Sequence, residues 1–323
     1  MKLDIGVIGA GALGTAIAQT LSENSNRILL NVRKQEICDD INQNGFNSQY
    51  YPNQKLNDNI IATVDVNDLK NCKIIFLTIP SSAFRDTLKD LSNIINKDVI
   101  LVTTAKGIEY PSLKTMGDII SEYFDENYVA MSGPNFASEI MLNQPTITNI
   151  SSRSSENAKL VKSVLSTKQF KVKIINDIRG IEFCGVLKNI NAIANGICEG
   201  MNINENARYS ILSKGFQDTI EIIETIGGKS ETVHEYCGFG DLIMTATSNE
   251  SRNHTLGILY GQRLIIDEVA SGVVFEGKKS IRAVSDICEI NNISSDIVTF
   301  VYNVIIEKMS PTRAFDILWN KIE

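Results

Sequence analysis

The chain has 323 residues, 43% of them hydrophobic and 21% charged, and a formal net charge of -7. That length exceeds what one hydrophobic core usually organises and predicts two domains. The negative balance argues against a nucleic-acid partner, which needs a basic face, and no apolar run approaches the roughly 20 residues of a membrane span.

In chain order, "LDIGVIG" (3–9) reads as a short apolar strand, followed by helical character over 13–22. "RILLNV" (27–32) is a second strand and "KQEICDDINQN" a helix. "KIIFLTIP" (73–80), "DVILVTT" (98–104) and "NYVAMSG" (127–133) are further buried-type strands, with helical stretches "SAFRDTLKDLSNII" and "SLKTMGDIISEYF" between them. Continuous apolar strands alternating with helices imply a parallel sheet covered on both faces, a doubly wound Rossmann-type α/β domain. "TITNISS" and "KVKIIND" extend the sheet to about residue 177.

From Gly180 onward helical patterns dominate: "IEFCGVLKNINAIANGICEG", then "ARYSILSKGFQDTIEIIETIGG" ending at Gly227-Gly228, then "TFVYNVIIEKM" and "PTRAFDILWNKI". The expected division is a dinucleotide-binding domain over 1–178 and an all-α substrate and catalytic domain over 179–323, with the active site in the cleft between them. None of the six cysteines forms a C-x-x-C pair, so buried thiols in a reducing compartment are expected. The two histidines provide no His-rich metal site. "MKLDIGVIG" enters a strand directly, which predicts no signal peptide and a cytoplasmic protein.

Gly9, Gly11 and Gly14 are spaced G-x-G-x-x-G between the first strand and its helix. In that setting the first glycine allows a tight turn, the second lets backbone approach a pyrophosphate, and the third lets helix pack on strand. The end of the second strand reads "LLNVRK", with no acid to hold a ribose 2′-OH. Arg33 can pair with a 2′-phosphate, which favours NADP(H) and leaves NAD(H) possible. A solvated strand-end charge is the plainer reading of Arg33.

Lys106 in "TTAKGIE" stands just past an apolar strand, at the edge that faces the ligand crevice in such sheets. It is either a ligand for a substrate oxygen or an ordinary turn lysine. Lys188 is the only cation within "GIEFCGVLKNINAIANG". It shares a helix face with Asn191 and Asn195, beside Gly185 and Ala192. Burial would lower its pKa toward neutrality and make it a general acid or base; the alternative is a stem reaching solvent at a helix edge. Asp241 follows a glycine turn and can hold the Lys188 ammonium; the plainer role, a helix N-cap, is compatible with that one. Ser251, Arg252 and Asn253 set a hydroxyl, a guanidinium and an amide side by side, a clamp for a phosphate dianion. His254 is the rival base, but it stands in a polar loop with no pattern that buries it. These residues alone also admit a related dehydrogenase acting on another hydroxy acid or acyl thioester, and a non-catalytic dinucleotide sensor.

Taken together, "GAGALGTA", "TTAKGIE", "SGPNFASEI", "NQPT", "GIEFCGVLKNINAIANGI", "GFGDLIMTATSNESRN" and "VVFEG" run nearly end to end. In them the chain resembles the NAD(P)-dependent glycerol-3-phosphate dehydrogenase family in its bacterial-type form. The resemblance implies reversible hydride transfer between the nicotinamide and C2 of a three-carbon phosphate, feeding glycerophospholipid synthesis, in a homodimer. It implies Lys188 as proton donor and acceptor, and Lys106 as a residue touching cofactor and substrate. Gly133, Asp241, Ser251, Arg252 and Asn253 are implied substrate contacts. Arg252, Ala137, Val274, Glu276 and the basic Arg33 are implied on the cofactor, with the loop residues. Three positions depart from the family pattern: Ala12-Leu13 replaces Ser-Trp after the second glycine, Asn135 replaces a substrate-contacting serine, and the late V-E-G is spread to Val274-Phe275-Glu276.

Overall fold

The computed structural model describes residues 4–25, 27–264 and 276–322. The chain divides into two compact units, one of 1–105 with 116–178, the other of 106–115 with 179–323.

The first unit is built on an eight-stranded sheet: β1 (Ile5–Ile8), β2 (Ile28–Asn31), β3 (Ile60–Thr63), β4 (Ile74–Leu77), β5 (Ile100–Thr103), β6 (Tyr128–Ser132), β7 (Thr146–Ser151) and β8 (Phe170–Ile174), in the order β3-β2-β1-β4-β5-β6-β7-β8. The chain moves outward from β1 through β2 to β3 and then crosses back to β4. The strand order therefore reverses between β1 and β4, the place where open α/β sheets bind ligands. Strands β1, β4, β5 and β6 are buried on both faces, which explains their largely apolar composition. Helices α1 (Ala12–Ser22), α2 (Gln35–Asp39), α3 (Phe84–Leu91), α4 (Met116–Phe124), α5 (Ala137–Met141) and α6 (Ser155–Leu165) supply the cover; α1 packs with α5 and α6, and α3 with α4. The core gathers Ile5, Val7, Ile17, Leu30, Phe76, Val102 and Val129.

Two features differ from the sequence reading. Strand β3 was not anticipated. It is four residues long, sits at the sheet edge with Ile61 40% exposed, and is reached through an irregular segment rather than a full helix. The helix expected over "KQEICDDINQN" is present: α2 runs on from Asp39 into one wider π-helical turn, Asp40–Asn44, that ends at Gly45. The sheet is also not wholly parallel: β7 pairs antiparallel with β6, while β8 is parallel to β7. The β6–β7 connection holds only the five-residue α5, too short to carry the chain back across a face for a parallel return.

The second unit is helical. It contains α7 (Ile178–Gly200), α8 (Glu205–Thr225), α9 (Ser230–Val233), α10 (Asp241–Thr247), α11 (Arg252–Gly261), α12 (Glu276–Ile290), α13 (Asp296–Ile305) and α14 (Pro311–Trp319). Helix α7 is buried nearly all round, which its small and apolar composition requires. It meets α11 through glycines spaced four apart on each helix, Gly196 and Gly200 against Gly257 and Gly261. A Cβ at Gly196 would lie 2.2 Å from the His254 carbonyl oxygen, and one at Gly257 2.3 Å from that of Ile193. Serine caps start α11 (Ser251), α13 (Ser295) and α14 (Ser310), each hydroxyl accepting a backbone N–H from its own first turn. All six cysteines are free and buried. Among the described residues no helix is long and apolar enough to cross a membrane.

Candidate active site

In the second unit three charged side chains converge from distant parts of the chain. Lys188 projects from the middle of α7 and is 6% exposed; Asp241, the first residue of α10, is fully buried. The Lys188 ammonium donates to Asp241 Oδ1 and, at 3.0 Å, to Thr245 Oγ1. Thr245 itself donates to Asp241 Oδ1 at 3.2 Å. Lys106, from the 106–115 segment, donates to the other carboxylate oxygen, Oδ2, at 2.9 Å. Two ammonium groups thus share one carboxylate, Lys188 and Asp241 buried and Lys106 half-buried. Burial pushes the Lys188 pKa down to about 7; Asp241 opposes that shift and Lys106 adds to it. Such a group can hold or release a proton near neutrality, and ammonium groups suit an oxygen that turns anionic during reaction.

The two readings of Asp241 separate here. Gly240 occupies the cap position of α10, and Asp241 spends its carboxylate on the lysines. The polar face of α7 is divided among helices. Asn191 donates to Thr219 Oγ1 on α8 at 3.3 Å, Asn195 to the Ala246 carbonyl on α10 at 2.7 Å, and only Lys188 ends at the charged cluster. Thr245, four residues after Asp241 on the same helix, escaped the sequence reading. Its spacing was the available signal.

Ser251, Arg252 and Asn253 form the start of α11. The Ser251 hydroxyl accepts from His254 N at 3.2 Å, and Asn253 Oδ1 accepts from Gly277 N at 3.3 Å. Arg252 is exposed and makes no ion pair among the described residues. A helix start carrying an uncommitted guanidinium is a ready site for a phosphate dianion. His254 corrects an expectation: it is 1% exposed, not in a polar loop, because the glycine contact draws α11 against α7.

In the first unit the glycine loop follows β1. Gly9 has φ +103°, which a side chain rarely adopts, and a Cβ at Gly14 would lie 1.8 Å from the Gly9 carbonyl oxygen. At Gly11 a Cβ would meet nothing within 4 Å. Gly11 caps α1 without any side-chain hydrogen bond, so Ala12, Leu13 and Gly14 begin the helix with their N–H groups uncapped by a side chain. The open face at Gly11 and the uncapped helix start fit a dinucleotide pyrophosphate. Three further side chains hold this loop and were not anticipated. Asn47 donates to Ala10 O (3.0 Å) and Thr15 Oγ1 (2.9 Å), Tyr51 to Ala12 O (3.0 Å), and Thr78 to the carbonyls of Ile8 (2.9 Å) and Gly9 (2.8 Å). They stand 30 or more residues from the loop in sequence, so no local pattern marks them. Arg33, just past β2, is exposed and unpaired among the described residues, while Asn31 donates to Thr63 O at 3.2 Å. Gly133, after β6, lies against Thr148, and Asn135 Nδ2 donates to Thr148 Oγ1 at 2.9 Å. Ala137 opens α5. Glu276 opens α12, and Val274 lies outside the described residues.

Residues 4–158 match the family described as NAD-dependent glycerol-3-phosphate dehydrogenase N-terminus, and residues 177–316 its C-terminus. A Neorickettsia sennetsu protein named glycerol-3-phosphate dehydrogenase (NAD(P)+) is 34% identical over 303 residues, 94% of this chain and 89% of that one. A Methanothermobacter thermautotrophicus protein of the same name is 36% identical over 285 residues, 88% of each chain. The crystal structure of glycerol-3-phosphate dehydrogenase from Coxiella burnetii superposes with a TM-score of 0.92 at 27% identity, covering 99% of both chains.

Proposed function

This chain belongs to the NAD-dependent glycerol-3-phosphate dehydrogenase family, and from that premise we propose that Lys188 is the group that exchanges a proton with C2–O of its substrate. The reaction is reversible: dihydroxyacetone phosphate is reduced by NAD(P)H to sn-glycerol 3-phosphate, an oxidoreduction at a CH–OH group. The observation that carries the proton-transfer reading is the buried Lys188–Asp241–Lys106 cluster.

The bound nicotinamide supplies the hydride for C2. The glycine loop with Ala12 and Leu13, and Arg33, Lys106, Ala137, Arg252, Val274 and Glu276, make up the cofactor set of this reading. Ser251, Arg252 and Asn253 hold the substrate phosphate, with Gly133 and Asn135 as further contacts. Lys106 and Lys188 face the carbonyl oxygen and stabilise the charge it gains. Lys188 then gives that oxygen a proton, and Asp241 keeps the ammonium oriented throughout. The functional division is a dinucleotide-binding domain over 1–178 and a helical substrate domain over 179–323. We further propose a cytoplasmic homodimer whose product feeds glycerophospholipid synthesis, on the family resemblance.

Because Lys188 must be protonated to reduce and deprotonated to oxidise, its lowered pKa sets opposite pH limbs. The kcat for dihydroxyacetone phosphate reduction should fall as pH rises through about 7, and that for glycerol 3-phosphate oxidation should rise over the same interval. Steady-state rates in both directions check this; two parallel limbs would remove Lys188 as the titrating group.

NADPH is the proposed preferred cofactor, supported by the exposed Arg33 and the absence of an acid at the end of β2. Side-by-side consumption of NADPH and NADH with dihydroxyacetone phosphate tests both preference and substrate. Arg33→Ser is expected to raise KM for NADPH about tenfold and leave NADH nearly unchanged. An equal effect on both would show that Arg33 does not read the 2′-phosphate.

A further inference from the structure

His254 is a buried titratable side chain for which the reaction has no use. Its ring is enclosed, with Nε2 3.2 Å from Glu199 Oε2 near the end of α7. Arg208 on α8 donates to the same carboxylate oxygen and, through Nε at 3.3 Å, to Asn195 Oδ1. Asn195 in turn donates to the Ala246 carbonyl of α10, the helix that Asp241 begins. Hydrogen bonds therefore link α8, α7 and α10, and His254 of α11 approaches this chain at Glu199. The charged groups facing the imidazole are Glu199 and Arg208. Burial weakens the ring's hold on a proton and Arg208 acts the same way, while Glu199 and the Ser248 carbonyl oppose them. The Ser251 hydroxyl accepts from the His254 backbone N–H, and the ring lies within ion-pair distance of Glu199 although neither ring nitrogen makes a hydrogen bond.

We propose that His254 is a positioning residue for the phosphate-holding turn: its imidazole, seated against Glu199, ties the turn bearing Ser251, Arg252 and Asn253 to α7, the helix of Lys188. The inference rests on the reading that this turn binds the substrate phosphate. Arg252 is exposed with no ion pair of its own among the described residues, so the direction of its guanidinium depends on how its turn is seated. With Nε2 3.2 Å from Glu199 Oε2, the imidazole keeps a polar group beside that buried carboxylate, which an apolar side chain of similar volume would remove. A clamp loosened by a fraction of an ångström loses affinity for the phosphate without changing the chemistry at C2.

The test compares His254→Leu, His254→Gln, Glu199→Gln and Arg252→Ala, each with dihydroxyacetone phosphate and with dihydroxyacetone, which has no phosphate. His254→Leu is expected to raise KM for dihydroxyacetone phosphate about tenfold, with kcat, KM for NADPH and kcat/KM for dihydroxyacetone within about twofold of the parent. His254→Gln, which keeps a donor, should recover most of the loss. If His254→Leu does not fold, Glu199→Gln decides, with a rise in KM of about threefold or more confined to the phosphorylated substrate. Unchanged KM for dihydroxyacetone phosphate, or equal losses on both substrates, overturns the proposal. Arg252→Ala separates the two levels. If it leaves KM for dihydroxyacetone phosphate unaltered, the phosphate-site reading itself falls. If it raises that KM and His254→Leu does not, only the role of His254 falls.

Discussion

Lys188→Met is expected to lower kcat in both directions by about a thousandfold or more while cofactor affinity stays near that of the parent. The substitution keeps an unbranched chain in the space between α7 and α10 and removes the ammonium. Asp241 then keeps Lys106, at 2.9 Å, as its ion-pair partner, so no buried charge is left alone and the fold should persist. On the proposed mechanism, what disappears is the donor to the C2 oxygen and one of the two ammonium groups beside it. Lys188→Arg sharpens the test. It keeps the charge but gives up no proton near neutral pH, so it should stay nearly as slow. Recovery by Arg would make the role electrostatic alone. Parent-like turnover in Lys188→Met would remove the residue from the mechanism. Cofactor titration by fluorescence, beside the steady-state rates, distinguishes lost chemistry from lost binding.

The largest expected loss of stability belongs to Gly196→Ala. The added methyl would stand 2.2 Å from the His254 carbonyl oxygen, with Gly257 Cα at 3.0 Å. Both neighbours are backbone, so no side-chain rotation relieves the clash and the two helices must part. Overpacking of this kind costs about 1–3 kcal/mol or more, against which alanine recovers at most about 1 kcal/mol of helix propensity. A net loss of about 2 kcal/mol, seen as a lower thermal midpoint, is the expected result. Gly240→Ala is the control: its Cβ would meet nothing within 4 Å and its φ is -61°, so its midpoint should stay within about 1–2 °C of the parent. Equal midpoints for Gly196→Ala and the control would mean that α7 and α11 do not depend on their close approach. Catalysis should suffer with stability at Gly196, since α7 carries Lys188 and α11 carries Arg252.

Much of the fold was legible because its signals are local. A doubly covered strand is apolar along most of its length, so β1, β4, β5 and β6 announce themselves. The glycine loop is legible for the same reason, since Gly9 and Gly14 answer constraints within a few residues, a positive φ and a carbonyl 1.8 Å from a would-be Cβ. Strand β3 was missed because an edge strand needs only one covered face, and Ile61 shows the open one. The direction of β7 was missed because a strand's composition does not record which way its neighbour runs.

The site was legible as a set of residues and not as a set of contacts. Lys188 is conspicuous as the only cation within residues 180–196 of an apolar helix, but its partner lies 53 residues away, and the second lysine lies 135 residues from that partner. His254 shows the converse error. Its neighbours in "SNESRNHT" are polar, which suggests a loop, yet it is 1% exposed because glycines on two helices let backbone touch backbone. The sequence by itself determined most of the element types, the glycine loop and the family, since these follow from short-range periodicity and residue chemistry. Only the tertiary structure decided that Asp241 is shared by two lysines, that Thr245 joins them and that His254 is enclosed. Burial and charge pairing are properties of surfaces brought together across the chain, and no single stretch of sequence contains both surfaces.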